Sequence, residues 1–150
     1  MKHILVTTDF SPLADAAIAA AADMARGTGA EVTLLHVIIE DRPDQPDPKG
    51  SYYKVAKKLW EADQEREKEA REQLEARAKK LAGIKAFTCV GRGDAVAGIL
   101  TAAKDLGVDL IVIASAGRTG LSRLLLGSVA EELARSSPLP VLIWKSSAKP

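Results

Sequence analysis

Aromatic side chains make up only 4% of the 150 residues, and there is a single cysteine, Cys89. One thiol cannot close a disulfide within the chain, so the fold has to hold without staples. A dominant charge is missing too: 21 Lys+Arg stand against 20 Asp+Glu, a formal net charge of +1. That balance removes the sequence-independent attraction to nucleic acid that a strong basic excess brings. Apolar runs such as Leu110 to Ala114 fall far short of the ~20 residues a membrane helix needs. The opening MKHILVTTDF reaches Asp9 before a signal-peptide core can form. These absences describe a soluble protein of a reducing compartment, most simply the cytoplasm, with neither membrane nor nucleic acid as partner.

What is present is aliphatic. Hydrophobic residues reach 47%, mostly Ala, Val, Ile and Leu, and the 27% charge is spread over both signs, so the chain reads as folded. A chain of this length buries roughly 70% of its unfolded surface, enough for one domain spanning residues 1–150. Five strand-length apolar runs stand out: His3 to Thr7, Val32 to Ile39, Ile84 to Val90, Asp109 to Ala114 and Leu139 to Trp144. Four helical segments separate them. The first runs from Ser11 to Thr28, with Asp9 or Ser11 as cap, Pro12 in the first turn, and Gly27 and Gly29 as its stop. The second begins after Ser51 and ends near Leu81, with Val55, Leu59, Ala70, Leu74, Ala78 and Leu81 as its buried stripe. Its many charges, Glu67 with Arg71 and Glu75 with Lys79 among them, read as a solvated face. The third follows the N-cap Asp94 and stops at Gly107; the fourth starts near Gly127-Ser128 and ends before Pro138. Glu40 to Ser51, with three Pro and one Gly, is a loop. Strict alternation of strand and helix calls for an open parallel α/β sheet with helices on both faces.

Such sheets take ligands at the carboxyl ends of their strands, where the strand order reverses. Asp9 stands just past the end of the first strand, and Ala114 to Ala134 follows the fourth. If those two strands are neighbours, both segments meet in one crevice. Gly117, Gly120 and Gly127-Ser128 let backbone N–H groups approach an anion, and the start of the fourth helix adds its dipole. Ser128 adds a hydroxyl, and Arg118 and Arg123 bring charge. The same glycines also suit ordinary turns.

These residues resemble the universal stress protein family, of the adenine-nucleotide alpha-hydrolase-like group. The likeness covers essentially the whole chain: ILVTTDFSPLADAAIAAAADMA, EVTLLHVI and DLIVIASAGRTGLSRLLLGSVAEELARSSPLPVLIW. The family's nucleotide signature is two glycines separated by two residues, then nine residues, then Gly and Ser or Thr. It falls here on Ala114, Gly117 and Gly127-Ser128. Ala114 stands where the first glycine belongs, and Ala116 replaces the usual His. A methyl at Ala114 crowds a ligand unless its backbone angles are ordinary. The resemblance implies a Rossmann-like five-stranded sheet of order 3-2-1-4-5 and a stress-response sensor or regulator that binds ATP or another adenine nucleotide (AMP or ADP). Under it Asp9 takes the ribose, Thr7 and Thr8 line the same turn, and the backbone of Val37 meets the adenine edge. Gly117, Arg118, Gly127, Ser128 and Val129 hold the phosphates, with Mg2+ bound through phosphate oxygens and water. It also implies a homodimer through the edge strand Leu139 to Trp144, whose uncharged run is otherwise an open pairing template. The alternative is a nucleotide-free dimeric interaction module of the same fold, in which Asp9 is a helix cap and Val37 is core.

Other chemistry is poorly supported. There is no GxxxxGK[ST] and no GxSxG, and no general base stands beside the glycine segment. The expectation is at most slow ATP hydrolysis or autophosphorylation, with no metal held by side chains. His36 lacks partners at ligand spacing and reads as a core or strand-end residue. His3 reads as exposed, and Cys89 as an inert buried thiol. Arg92-Gly93-Asp94 falls in the turn leading into the third helix.

Overall fold

The computed structural model describes residues 1–40, 52–116 and 126–145. Within them the elements are β1 (His3–Thr7), α1 (Pro12–Thr28), β2 (Glu31–Ile39), α2 (Tyr52–Ala78), β3 (Ala86–Gly93), α3 (Ala95–Leu106), β4 (Leu110–Ala114), α4 (Ser128–Ser136) and β5 (Val141–Trp144). All four strand pairings are parallel, in the order β3-β2-β1-β4-β5. The expected order 3-2-1-4-5 is therefore the observed one.

The strand pattern sorts side chains to two faces. Ile4, Val6, Val32, Leu34 and Val112 point to a layer formed by Ala17, Ile18, Ala21 and Ala25 of α1 and Leu74 of α2. Leu5, Leu35 and Ile111 point the other way, to Val96, Ile99 and Ala103 of α3 and Leu133 of α4. The alanines of α1 let that helix lie close to the strands. With so few aromatics, close approach of small side chains replaces bulk as the means of filling space. Ser11 caps α1, its Oγ accepting from the Ala14 N–H at 3.2 Å, and Gly29 ends the helix with φ 74. Asp94 caps α3 in the same way, and Gly107 closes it with φ 63.

Several local expectations change. β3 begins at Ala86 rather than Ile84 and runs on through Arg92-Gly93, because β2 offers pairing partners as far as Ile39, opposite Gly93. β5 is shorter than the run Leu139 to Trp144 and starts at Val141, after Pro140. His3 is half-buried, with Nε2 2.7 Å from the Thr33 hydroxyl. Arg71 pairs with Glu67 at 2.7 Å as expected, whereas Glu75 and Lys79 form no ion pair. The largest change concerns α2: Ala70 and Leu74 are buried as expected, but Val55 and Leu59 are 54% and 52% exposed. Arg66 already donates to the carbonyl of Ile39, the last residue of β2, and Asp63 sits 3.8 Å from Arg92 near the end of β3. Among the described residues, those of α2 before Asp63 therefore extend past the ends of β2 and β3 and have no strand beneath them.

Candidate functional site

β1 and β4 lie side by side, paired from Ile4 with Leu110 to Val6 with Val112, and their carboxyl ends open into a cleft of about 420 Å³. Its lining brings together Thr7 at the end of β1, Thr8 and Asp9 just after it, Val37 on β2, Ala114 on β4, and Gly127, Ser128 and Val129 at the start of α4. Eight of the residues singled out from the sequence thus share one cavity. Gly117 and Arg118 lie outside the described residues.

The β1–α1 turn is tightly constrained. Thr8 N–H continues the ladder to Leu35 O at 2.8 Å, and its hydroxyl accepts from the Phe10 N–H at 2.9 Å. Asp9 Oδ1 accepts from the Ser11 N–H at 3.0 Å. Of the two possible caps Ser11 is the one used, and Asp9 lines the cleft instead. Phe10 has φ 66, the only left-handed non-glycine residue among those described. Such a backbone is strained for a bulky side chain. It persists because the ring stacks on His36 at 4.4 Å while the Arg77 guanidinium lies 4.9 Å from its centroid.

Across the cleft, α4 starts without a side-chain cap, because its N-cap is Gly127. The Gly127 N–H donates to Ser115 O at 2.6 Å, and the first helical bond runs from Glu131 N–H to Gly127 O at 3.0 Å. Amides of Ser128, Val129 and Ala130 precede that bond, so they are the donors a helix start offers to an anion. What Gly127 supplies is the lack of a side chain. Ala114 does not share the left-handed conformation; it is an ordinary strand residue paired with Trp144. Its methyl therefore needs no glycine for conformational reasons.

Val37 has two roles in space. Its methyls fill the room above Gly91 and Gly98, where a Cβ on Gly98 would stand 3.0 and 3.2 Å from them, and the residue also lines the cleft. His36, Ala95, Ile99 and Ile113 also line the cleft, and no local pattern along the chain marks them for it. The signal for Phe10 was present, an apolar residue inside the turn Thr8 to Ser11, but it was not legible without the His36 ring. Cys89 sits half-buried on β3, where desolvation pushes its thiol up and keeps it protonated. Among the described residues no group of three or more His, Cys, Asp or Glu is placed to hold a metal, and no helix is long and apolar enough to cross a membrane.

Comparison with known proteins gives one consistent result. The sequence model of the universal stress protein family matches residues 1–145. Universal stress protein YxiE of Bacillus subtilis is 35% identical over 95% of this chain and 97% of its own. The solved structure of MJ0577 of Methanocaldococcus jannaschii superposes with a TM-score of 0.82 at 32% identity, covering 99% of this chain and 98% of the other. A universal stress protein from Archaeoglobus fulgidus, solved in complex with dAMP, shares the fold at 21% identity, with a TM-score of 0.64 over 97% and 98% of the two chains.

Proposed function

Because this chain belongs to the universal stress protein family, we propose that its cleft binds an adenine nucleotide, ATP first among them. The observation that carries this reading is the pairing of a carboxylate with an uncapped helix start in one cavity. Asp9 suits the hydroxyls of a ribose; the amides of Ser128, Val129 and Ala130 and the Ser128 hydroxyl suit phosphate oxygens. Val37, Ile99 and Ile113 form an apolar floor for a base. The dAMP complex of the Archaeoglobus protein supports the choice of adenine for a fold of this kind. The reading also assigns Gly117 and Arg118, which lie outside the described residues, to the phosphates, and magnesium would come with the nucleotide, bound through phosphate oxygens and water. The role we assign is that of a cytoplasmic stress-response sensor or regulator, with at most slow hydrolysis or autophosphorylation.

The reading extends to assembly. The whole chain acts as one domain, and β5, at the sheet edge and half-buried along its four residues, pairs with its twin in a homodimer. Sedimentation of a Val141→Pro variant tests this, with a shift toward monomer expected.

Calorimetric titration with Mg-ATP tests the nucleotide reading. Gly127→Val is expected to abolish binding by blocking the approach to the α4 amides. Ser128→Ala is expected to weaken it by about 1–3 kcal/mol through loss of one donor. Wild-type protein that takes up no ATP, ADP or AMP at millimolar concentration overturns the proposal and leaves a nucleotide-free interaction module.

A further inference from the structure

A strained residue persists only where its surroundings over-determine it, and such residues gather at binding sites. Phe10 is gripped through both its ring and its backbone. The His36 ring of β2 stacks on it with 28° between the planes, and the Arg77 guanidinium of α2 lies over the same ring. An Arg77 N–H also donates to the Phe10 carbonyl at 3.3 Å. Arg77 is itself fixed: its Nε donates to Asp15 Oδ1 of α1 at 2.6 Å, and only 20% of its side chain is exposed. Two helices and a strand thus converge on one side chain of the β1–α1 turn. Neither Phe10 nor Arg77 is among the described residues that line the cleft.

What this clamp controls is the residue before it. The bond from the Ser11 N–H to Asp9 Oδ1 spans Phe10, so it closes only while Phe10 keeps the turn that its φ of 66 sets. The Thr8 hydroxyl holds the Phe10 N–H from the other end of the same turn. Rotation of Phe10 into the right-handed or extended region, which a phenylalanine otherwise prefers, swings the Ser11 N–H away from the Asp9 carboxylate. That carboxylate then gains rotamers and no longer points one way. Glycine would take the left-handed conformation without strain. A glycine, however, has no ring through which α2 and β2 can lock it there.

We infer that Phe10 and Arg77 are positioning residues for Asp9, fixing the direction of its carboxylate in the cleft without touching the ligand. The inference rests on the assignment of Asp9 to the ribose. Discrimination between nucleotides that carry ribose hydroxyls and those that lack them is then set in part by the contact of α2 with the turn, outside the cleft. Recognition of the phosphates and of the base belongs to the start of α4 and to Val37, and does not depend on the clamp.

Calorimetric titration with Mg-ATP and with its dideoxy analogue, which lacks both ribose hydroxyls, tests this. Wild type is expected to prefer ATP by about tenfold, the usual worth of a hydrogen bond to a charged group. Asp9→Ala gives the preference that remains without the carboxylate. Arg77→Met, which keeps the stem but not the guanidinium, and Phe10→Gly are both expected to fall from the wild-type preference toward that of Asp9→Ala. Their affinity for the dideoxy analogue is expected to stay that of wild type. Either variant alone can answer if the other fails to fold. A wild-type preference in both variants overturns the inference, because Asp9 is then held without the clamp. Equal weakening of both nucleotides also overturns it, since damage to the cleft as a whole does not distinguish the sugars. Loss of preference in Phe10→Gly alone removes Arg77 from the role. Wild type that binds the two nucleotides equally takes Asp9 off the ribose, and this inference with it, but leaves the nucleotide reading standing. Wild type that binds neither overturns both.

Discussion

His36 Nδ1 donates to the carbonyl of Thr8 across 2.7 Å. A carbonyl can only accept, so this contact places a proton on Nδ1. Through it β2 holds the turn that follows β1, at the residue before Asp9. Replacing His36 separates the two parts of its role. His36→Phe keeps a ring against Phe10 but leaves the Thr8 carbonyl without that donor. His36→Asn keeps a donor at nearly the same place but gives up the stack. Urea unfolding is expected to show His36→Phe less stable than wild type by about 1–3 kcal/mol. His36→Asn is expected to lose no more than the about 0.5–1.5 kcal/mol of a ring pair beyond the side chain's burial. The reverse order would mean that stacking, not the hydrogen bond, holds the turn.

Phe10 supplies the second test, since its φ of 66 costs a non-glycine residue energy that glycine does not lose. Phe10→Ala removes the contacts with His36 and Arg77 while keeping the strained backbone. Phe10→Gly removes the same contacts and relieves the strain, by about 1–2 kcal/mol. Thermal melts are expected in the order wild type, then glycine, then alanine. An alanine variant as stable as the glycine one would show that the turn relaxes out of the left-handed region.

Ala114 allows the nucleotide reading to be checked at the position where the family glycine is missing. Its backbone is that of an ordinary strand, paired with Trp144. Ala114→Gly is therefore expected to lower the melting temperature of the free protein slightly, by up to about 1 kcal/mol of stability. The rise in melting temperature on adding ATP is expected to match that of wild type, because ligand stabilisation follows affinity alone. A clearly larger rise in the glycine variant would show that the methyl crowds the ligand.

Acid unfolding should report on two carboxylates. Asp109 Oδ2 accepts from the backbone N–H groups of Lys2 at 2.6 Å and His3 at 2.9 Å, which holds its carboxyl below the ordinary aspartate value. Hydrogen bonds from Arg92 and then Arg71 hold Glu67 low in the same sense. A carboxyl whose value falls on folding stabilises the protein above its unfolded value and loses that contribution as pH drops through the folded one. Stability is thus expected to be level near neutrality and to decline once pH passes below the ordinary carboxylate range. Asp109→Asn should melt lower than wild type at neutral pH and decline less steeply in acid. Parallel curves for the two proteins would remove Asp109 from the acid response.

Much of this architecture is local in origin and therefore legible along the chain. Apolar runs at strand length, Ser11 and Asp94 as caps, and Gly29 and Gly107 as stops are decided by neighbours a few residues apart. The alternation they create leaves few topologies open, and the spacing from Ala114 to Gly127-Ser128 marks the segment that meets Asp9. Tertiary structure decided what depends on partners distant in sequence. Whether Asp9 caps a helix or lines a cleft was settled when Ser11 took the cap and β4 came to lie beside β1. The role of His36 required a ring 26 residues earlier to turn toward it, in a backbone conformation that no propensity favours at phenylalanine. Periodicity described the apolar rows of α2 correctly, yet it could not say where the sheet beneath them ends. Burial is a property of two surfaces, and a sequence pattern describes only one of them.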